Sequence, residues 1–107
     1  DVSVMYAGEK DHIFPEKFYV SSNYPNPFNP STNFYVDMPE SGNLSIKIFD
    51  VNGRIVKELV NTYVNQGRIQ GRWSGKNEFD IMSPTGIYFL QVEASSNYHI
   101  QKLALVK

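Results

Sequence analysis

Apolar and polar positions alternate with a period of two along most of this chain, the spacing of a strand with one buried face. Leu44, Ile46 and Ile48 interleave with Ser45, Lys47 and Phe49, the clearest such run. Tyr88, Leu90, Val92 and Ala94 interleave with Phe89, Gln91 and Glu93, and Leu103 and Leu105 share a face within Tyr98–Val106. Phe34 and Val36 do so within Thr32–Met38. Shorter strands are predicted at Phe18–Val20 and Ile69–Trp73, with Gly71 as the expected site of a bulge. Ile55 to Val60 reads as the return strand of a hairpin, although Ile55, Val56, Leu59 and Val60 also fit a helical turn.

Turn residues punctuate these runs. Asn52-Gly53 is a strong hairpin signal and predicts a type I′ turn, with φ > 0 at both central residues. Pro39-Glu40-Ser41-Gly42 and Ser95-Ser96-Asn97 supply two further turns, and Ser74–Thr85 is the longest loop. Asn23-Tyr24-Pro25-Asn26-Pro27-Phe28-Asn29-Pro30 cannot build a ladder of its own, because proline fixes φ and lacks a donor. It should form a stiff loop, with Asn side chains bonding to backbone and Phe28 plugging one end of the core. Residues 1–17 read as a linker to an upstream domain, with one extra strand allowed by the alternation of Val2, Val4 and Tyr6. About seven strands at roughly 8–12-residue spacing are the pattern of an all-β antiparallel sandwich.

Composition agrees with that fold. Val, Ile, Thr and the aromatics greatly outnumber Ala and Leu, so strand formers dominate. At 107 residues and 41% hydrophobic, one domain can bury a sufficient core without metal or disulfide help. The net charge of −1 argues against a nucleic-acid binder and against a polybasic membrane anchor. Cysteine is absent, which removes thiolate chemistry and Cys-based zinc sites. No apolar run approaches the ~20 residues of a membrane-spanning helix, and no signal-peptide pattern opens the chain.

Candidate chemistry is sparse. His12 and His99 stand far apart with no serine or carboxylate motif beside them, so surface histidines are the better reading. Counting an EF-hand from Asp50 puts Ile55 and Asn61 where a glycine and a bidentate acid belong. Asn77, Glu78 and Asp80 share one loop and leave an irregular cation site open. There is no G-x-S-x-G, no phosphate cradle and no paired-carboxylate pattern. No cofactor is implied. Tyr19, Tyr35, Phe49 and Phe89 fall opposite the core positions and could form an aromatic row for sugar rings or a partner protein.

Several segments taken together resemble one family. Tyr24-Pro25-Asn26-Pro27-Phe28-Asn29-Pro30-Ser31-Thr32 resembles the opening box of the C-terminal sorting domains of type IX (Por) secretion in Bacteroidetes. Ile48-Phe49-Asp50-Val51-Asn52-Gly53-Arg54-Ile55-Val56 resembles the middle box, and Trp73-Ser74-Gly75-Lys76-Asn77 the tryptophan–glycine turn. Gly86-Ile87-Tyr88 and the terminal Lys102-Leu103-Ala104-Leu105-Val106-Lys107 resemble the closing box. The boxes run in order through residues 18–107. The chain departs from the family pattern at Ser74, where an acid is common, and at Asp80 or Ile81, where a second glycine is common.

The resemblance implies an Ig-like sandwich that directs an attached cargo through the outer-membrane translocon to the cell surface or medium. Export would run by way of the periplasm. It implies a sortase as second partner, with cleavage within residues 1–17. It places recognition toward the last strands, with Gly86, Tyr88, Lys102, Leu103, Val106 and Lys107 as candidates. It gives Pro25, Asn26, Pro27, Asp50, Gly53, Arg54, Trp73 and Gly75 as family-motif positions of structural weight. The role implied is non-catalytic. The alternative is a retained accessory Ig-like domain of a secreted enzyme, binding carbohydrate or packing on the catalytic domain.

Overall fold

The computed structural model describes residues 15–107 in full and the backbone of Val2–Met5. His12 lies outside the described residues. Among the described residues there is no helix, and eight strands alternate in direction. They are β1 (Val2–Met5), β2 (Tyr19–Val20), β3 (Thr32–Met38), β4 (Gly42–Asp50), β5 (Ile55–Val64), β6 (Gly67–Trp73), β7 (Gly86–Ala94) and β8 (Asn97–Leu105). All seven strands predicted from the alternation are present, and β1 is the extra strand.

Two four-stranded sheets stack face to face, ordered β1-β6-β3-β2 and β5-β4-β7-β8, with every pairing antiparallel. This is the expected Ig-like antiparallel sandwich. Period-two alternation sends one side of each strand inward: Phe34, Val36 and Met38 meet Leu44, Ile46 and Ile48, with Leu90, Val92, Leu103 and Leu105 beside them. All ten are 3% exposed or less, so the core is dry from end to end. At about 1.5–3 kcal/mol per buried large aliphatic or aromatic side chain, this layer is the main stabilising element.

Two local expectations need correction. Gly71 is not at a bulge, because β3 and β6 pair without a break and Gly71 sits opposite Phe34. A Cβ there would lie 2.3 Å from Phe34 Cζ, so the missing side chain makes room for the ring. The bulges lie in β5 instead. Register shifts occur between Ile46 and Lys47 and between Ile48 and Phe49, which leave Leu59 and Val56 as the extra residues. Each bulge turns an additional apolar residue toward the core, where Val56 and Leu59 pack. That is why the β5 sequence imitates a helical period.

Candidate functional site: the motif pole

Strand alternation gives the sandwich two poles. One carries the short turns 39–41, 65–66 and 95–96. The other carries segments 21–31, 51–54 and 74–85 together with the C-terminus. Every family-motif position lies at or beside this second pole.

Its centre is Trp73, the last residue of β6, 1% exposed. Phe28 tilts against it at 5.6 Å between ring centroids, and Tyr88 meets it edge-on at 5.2 Å. Trp73 Nε1 donates to the Lys76 carbonyl at 2.9 Å, so the indole is both packed and satisfied. Gly75 follows at φ +81°, a region that L side chains avoid. A Cβ on Gly75 would lie 2.9 Å from the Pro30 carbonyl oxygen. Trp73 and Gly75 thus fix the start of the long loop against the Pro-Asn segment.

The Pro-Asn segment is braced as expected. Thr32 Oγ1 donates to the Pro25 carbonyl at 2.7 Å. Asn26 acts as a surrogate strand residue: its Nδ2 donates to the Lys102 carbonyl (3.2 Å) and its Oδ1 accepts from Ala104 N–H (3.0 Å). Phe28 N–H donates to the Ala104 carbonyl and Val106 N–H to the Phe28 carbonyl, both at 2.9 Å. The loop therefore straps the outer edge of β8.

At the β4–β5 turn, Asp50 Oδ1 accepts from the N–H groups of Asn52 (2.9 Å) and Arg54 (3.0 Å). Gly53 N–H donates to the Asp50 carbonyl (3.0 Å), and Asp50 N–H donates to the Arg54 carbonyl (2.9 Å). Only Gly53 has positive φ, at +81°, so this is not the type I′ turn predicted. The aspartate satisfies two loop donors and makes a longer turn, with one left-handed residue, the stable choice. The Arg54 guanidinium is 3.9 Å from Asp50, and its side chain is 78% exposed, so the pair adds little.

Asn77–Ile81 repeats this geometry bond for bond. Asn77 Oδ1 accepts from Phe79 N–H (2.9 Å) and Ile81 N–H (3.0 Å). Asp80 N–H donates to the Asn77 carbonyl, and Asn77 N–H to the Ile81 carbonyl. Asp80, at φ +63°, stands where Gly53 stands in the first copy. The residue that replaces the family's second glycine therefore adopts a glycine-like conformation, which Asp tolerates better than most. Glu78 N–H donates to the Val56 carbonyl at 3.1 Å, joining this second turn to the start of β5.

Asn77 Oδ1 is committed to backbone, Glu78 lies 3.6 Å from Lys57, and Asp80 lies 3.7 Å from Lys76. Among the described residues no three metal-ligating side chains gather. His99 Nε2 bonds with Gln101 Oε1 at 2.7 Å. The aromatic row is also divided. Tyr19 and Tyr35 pair on the outer face of one sheet and Phe49 and Phe89 on the outer face of the other, so they form no common platform.

The candidate recognition residues separate by burial. Leu103 and Tyr88 belong to the core, at 0% and 5% exposure. The Tyr88 hydroxyl donates to the Pro84 carbonyl at 2.6 Å. Burial pushes its phenol above the ordinary value, the Ser83 hydroxyl pulls it partway back, and the Asp50 carboxylate pushes it up again. Gly86 pairs with Leu105, and a Cβ there would meet nothing within 4 Å. Lys102, Val106 and Lys107 are exposed, and neither lysine has an acidic partner among the described residues. Lys107 N–H donates to Thr85 Oγ1 at 3.1 Å, which ties the end of the chain to the pole.

Solved structures share this architecture. Dimeric latent PorU from Porphyromonas gingivalis superposes with a TM-score of 0.65 at 18% identity, over 90% of this chain and 10% of that one. PorZ from the same organism, described as an essential bacterial surface component of the type-IX secretion system, gives 0.52 at 22% identity, over 84% and 11%. FLGD from P. aeruginosa gives 0.53 at 21%, over 69% and 58%. At these identities the likeness is one of fold, and the chain spans about a tenth of the PorU and PorZ chains. No curated protein matches it. The family model described as secretion system C-terminal sorting domain matches residues 22–107, from just before the Pro-Asn loop to the terminal lysine. The chain therefore belongs to the secretion system C-terminal sorting domain family, and it is a C-terminal sorting signal for type IX secretion to the cell surface or medium.

Proposed function

We propose that the motif pole and the exposed end of β8 are the surface that the outer-membrane translocon reads, and that the domain performs no catalysis itself. One observation supports this above the others: motif segments scattered between Tyr24 and Lys107 converge on one pole, while the opposite pole carries none. Within that pole, Pro25, Asn26, Pro27, Asp50, Gly53, Trp73 and Gly75 hold the shape. Lys102, Val106 and Lys107 face outward, and Arg54 projects from the β4–β5 turn at the same pole. Tyr88 and Leu103 set the two closing strands from within, and Gly86 opens β7 opposite Leu105.

Residues 1–17 connect to an upstream cargo domain, with β1 docking that connection against β6. A sortase acts in this region after passage through the periplasm and the outer membrane. A label that must serve many cargoes needs its own core, and the sandwich supplies one. Deleting Gly86–Lys107 from the full-length protein tests the reading. Cargo should then be retained inside the cell; cargo that still reaches the surface or medium would overturn it.

A further inference from the structure

Strand β8 is an edge strand, and the Pro-Asn strap covers only half of its outer edge. The strap takes the Lys102 and Ala104 carbonyls and the Ala104 and Val106 N–H groups. In an antiparallel ladder, residues of one parity turn their main-chain groups to the same side. The main-chain groups of Tyr98 and Ile100, and the N–H of Lys102, therefore face the same outer edge, away from β7. None of them has a hydrogen-bond partner in the strap. Their side chains lie on the outer face, with Tyr98 59% and Ile100 49% exposed. Lys102, next in that row, has no acidic partner among the described residues.

An open edge of this kind invites strand addition. A second copy fits it badly. The antiparallel register that uses both main-chain groups of Tyr98 and of Ile100 sets Tyr98 opposite Ile100, which brings Ser96 of the second copy opposite Lys102; β8 contains no Asp or Glu, so no carboxylate of the added strand meets that lysine. The strap confines the open edge to Tyr98–Lys102, room for a few residues of added strand.

We propose that the Tyr98–Lys102 edge is a strand-addition site for a short extended peptide of the export machinery. That peptide is apolar where it meets Tyr98 and Ile100 and acidic beside Lys102. This rests on the sorting role above and specifies how the domain is gripped: main-chain pairing holds the peptide, and the unpaired lysine sets its direction.

The test uses full-length protein in cells that export it. Ile100→Pro removes an outward N–H without touching the β7–β8 ladder, a position where edge proline is tolerated. Losing one main-chain bond should lower the amount exported by about two- to tenfold. Lys102→Glu, which alters no ladder bond, should lower it as well. The Gly86–Lys107 deletion runs alongside. If the deletion blocks export while both variants export like the parent, the edge proposal falls and the sorting role stands. If the deletion is exported normally, the sorting role falls first and takes the edge proposal with it. If Ile100→Pro lowers the melting temperature by more than roughly 8 °C, the Lys102→Glu result alone decides. Light scattering of the parent chain covers the remaining case: a dimer that Ile100→Pro converts to monomer would make a second copy the occupant and overturn the proposal.

Discussion

Gly75→Ala should unfold the motif pole, while Gly86→Ala should not, although both glycines lie in family boxes. At Gly75 two effects add. The residue sits at φ +81°, where an L side chain costs about 1–2 kcal/mol. The new methyl would also stand 2.9 Å from the Pro30 carbonyl oxygen and 3.1 Å from Met82 Sδ. The methionine can swing aside, but the carbonyl is backbone in a segment braced through Thr32 and Phe28, so relieving it shifts the loop at about 1–2 kcal/mol. Together they give about 2–4 kcal/mol, or a melting temperature lower by roughly 10–20 °C in a domain of this size. At Gly86 the added Cβ meets nothing within 4 Å, φ is not positive, and alanine in a strand is preferred to glycine by about 0.5–1 kcal/mol. Thermal unfolding of the 107-residue chain followed by circular dichroism reads both. A Gly75→Ala loss below about 4 °C, or a Gly86→Ala loss above that, would refute this account of the pole.

Other outcomes follow from the same structure. Asn26→Ala deletes both side-chain bonds to β8 and should cost about 1–2 kcal/mol, with faster amide hydrogen exchange at Ala104 and little change at Leu103. Gly71→Ala drives a methyl into the Phe34 ring and should destabilise by about 1–3 kcal/mol in denaturant titration, despite alanine's better strand propensity. The Tyr88 phenol is held above its ordinary value mainly by burial, so the unfolded chain loses this proton first as pH rises. Its contribution is complete below about pH 10 and is lost as pH climbs through the folded value, so Tyr88→Phe should flatten the alkaline fall in stability. That variant should also lose about 1 kcal/mol at neutral pH, because the Pro84 carbonyl loses its donor.

Strand positions are readable wherever a strand obeys period two over its whole length. Leu44–Ile48 and Tyr88–Ala94 each bury one side and expose the other, and their turns carry the expected residues. β5 was ambiguous for a physical reason: its two bulges add Val56 and Leu59 to the inner face and so destroy the alternation that identifies a strand. At Gly71 the sequence shows a glycine but not its partner, because Phe34 is opposite only once the register is known. Asn52-Gly53 marks the place of the turn but not its type, since the deciding group is the carboxylate of Asp50 rather than either central residue. The equivalence of Asp50–Arg54 and Asn77–Ile81 is hidden by side chains that share almost nothing; a search for Asx residues spaced ahead of a left-handed candidate would have found it. Least legible was Asn26, whose partners lie 76 and 78 residues away. The family boxes located that residue and said nothing of what it holds.

The central claim is that residues 18–107 are a self-sufficient address. The most direct measurement fuses them to the C-terminus of an unrelated periplasmic reporter in a cell with the type IX machinery, then quantifies reporter at the surface and in the medium. The account predicts export of the fusion and retention of the same fusion lacking Gly86–Lys107. A folded fusion that stays in the periplasm, with the native cargo exported normally in the same cells, would contradict it.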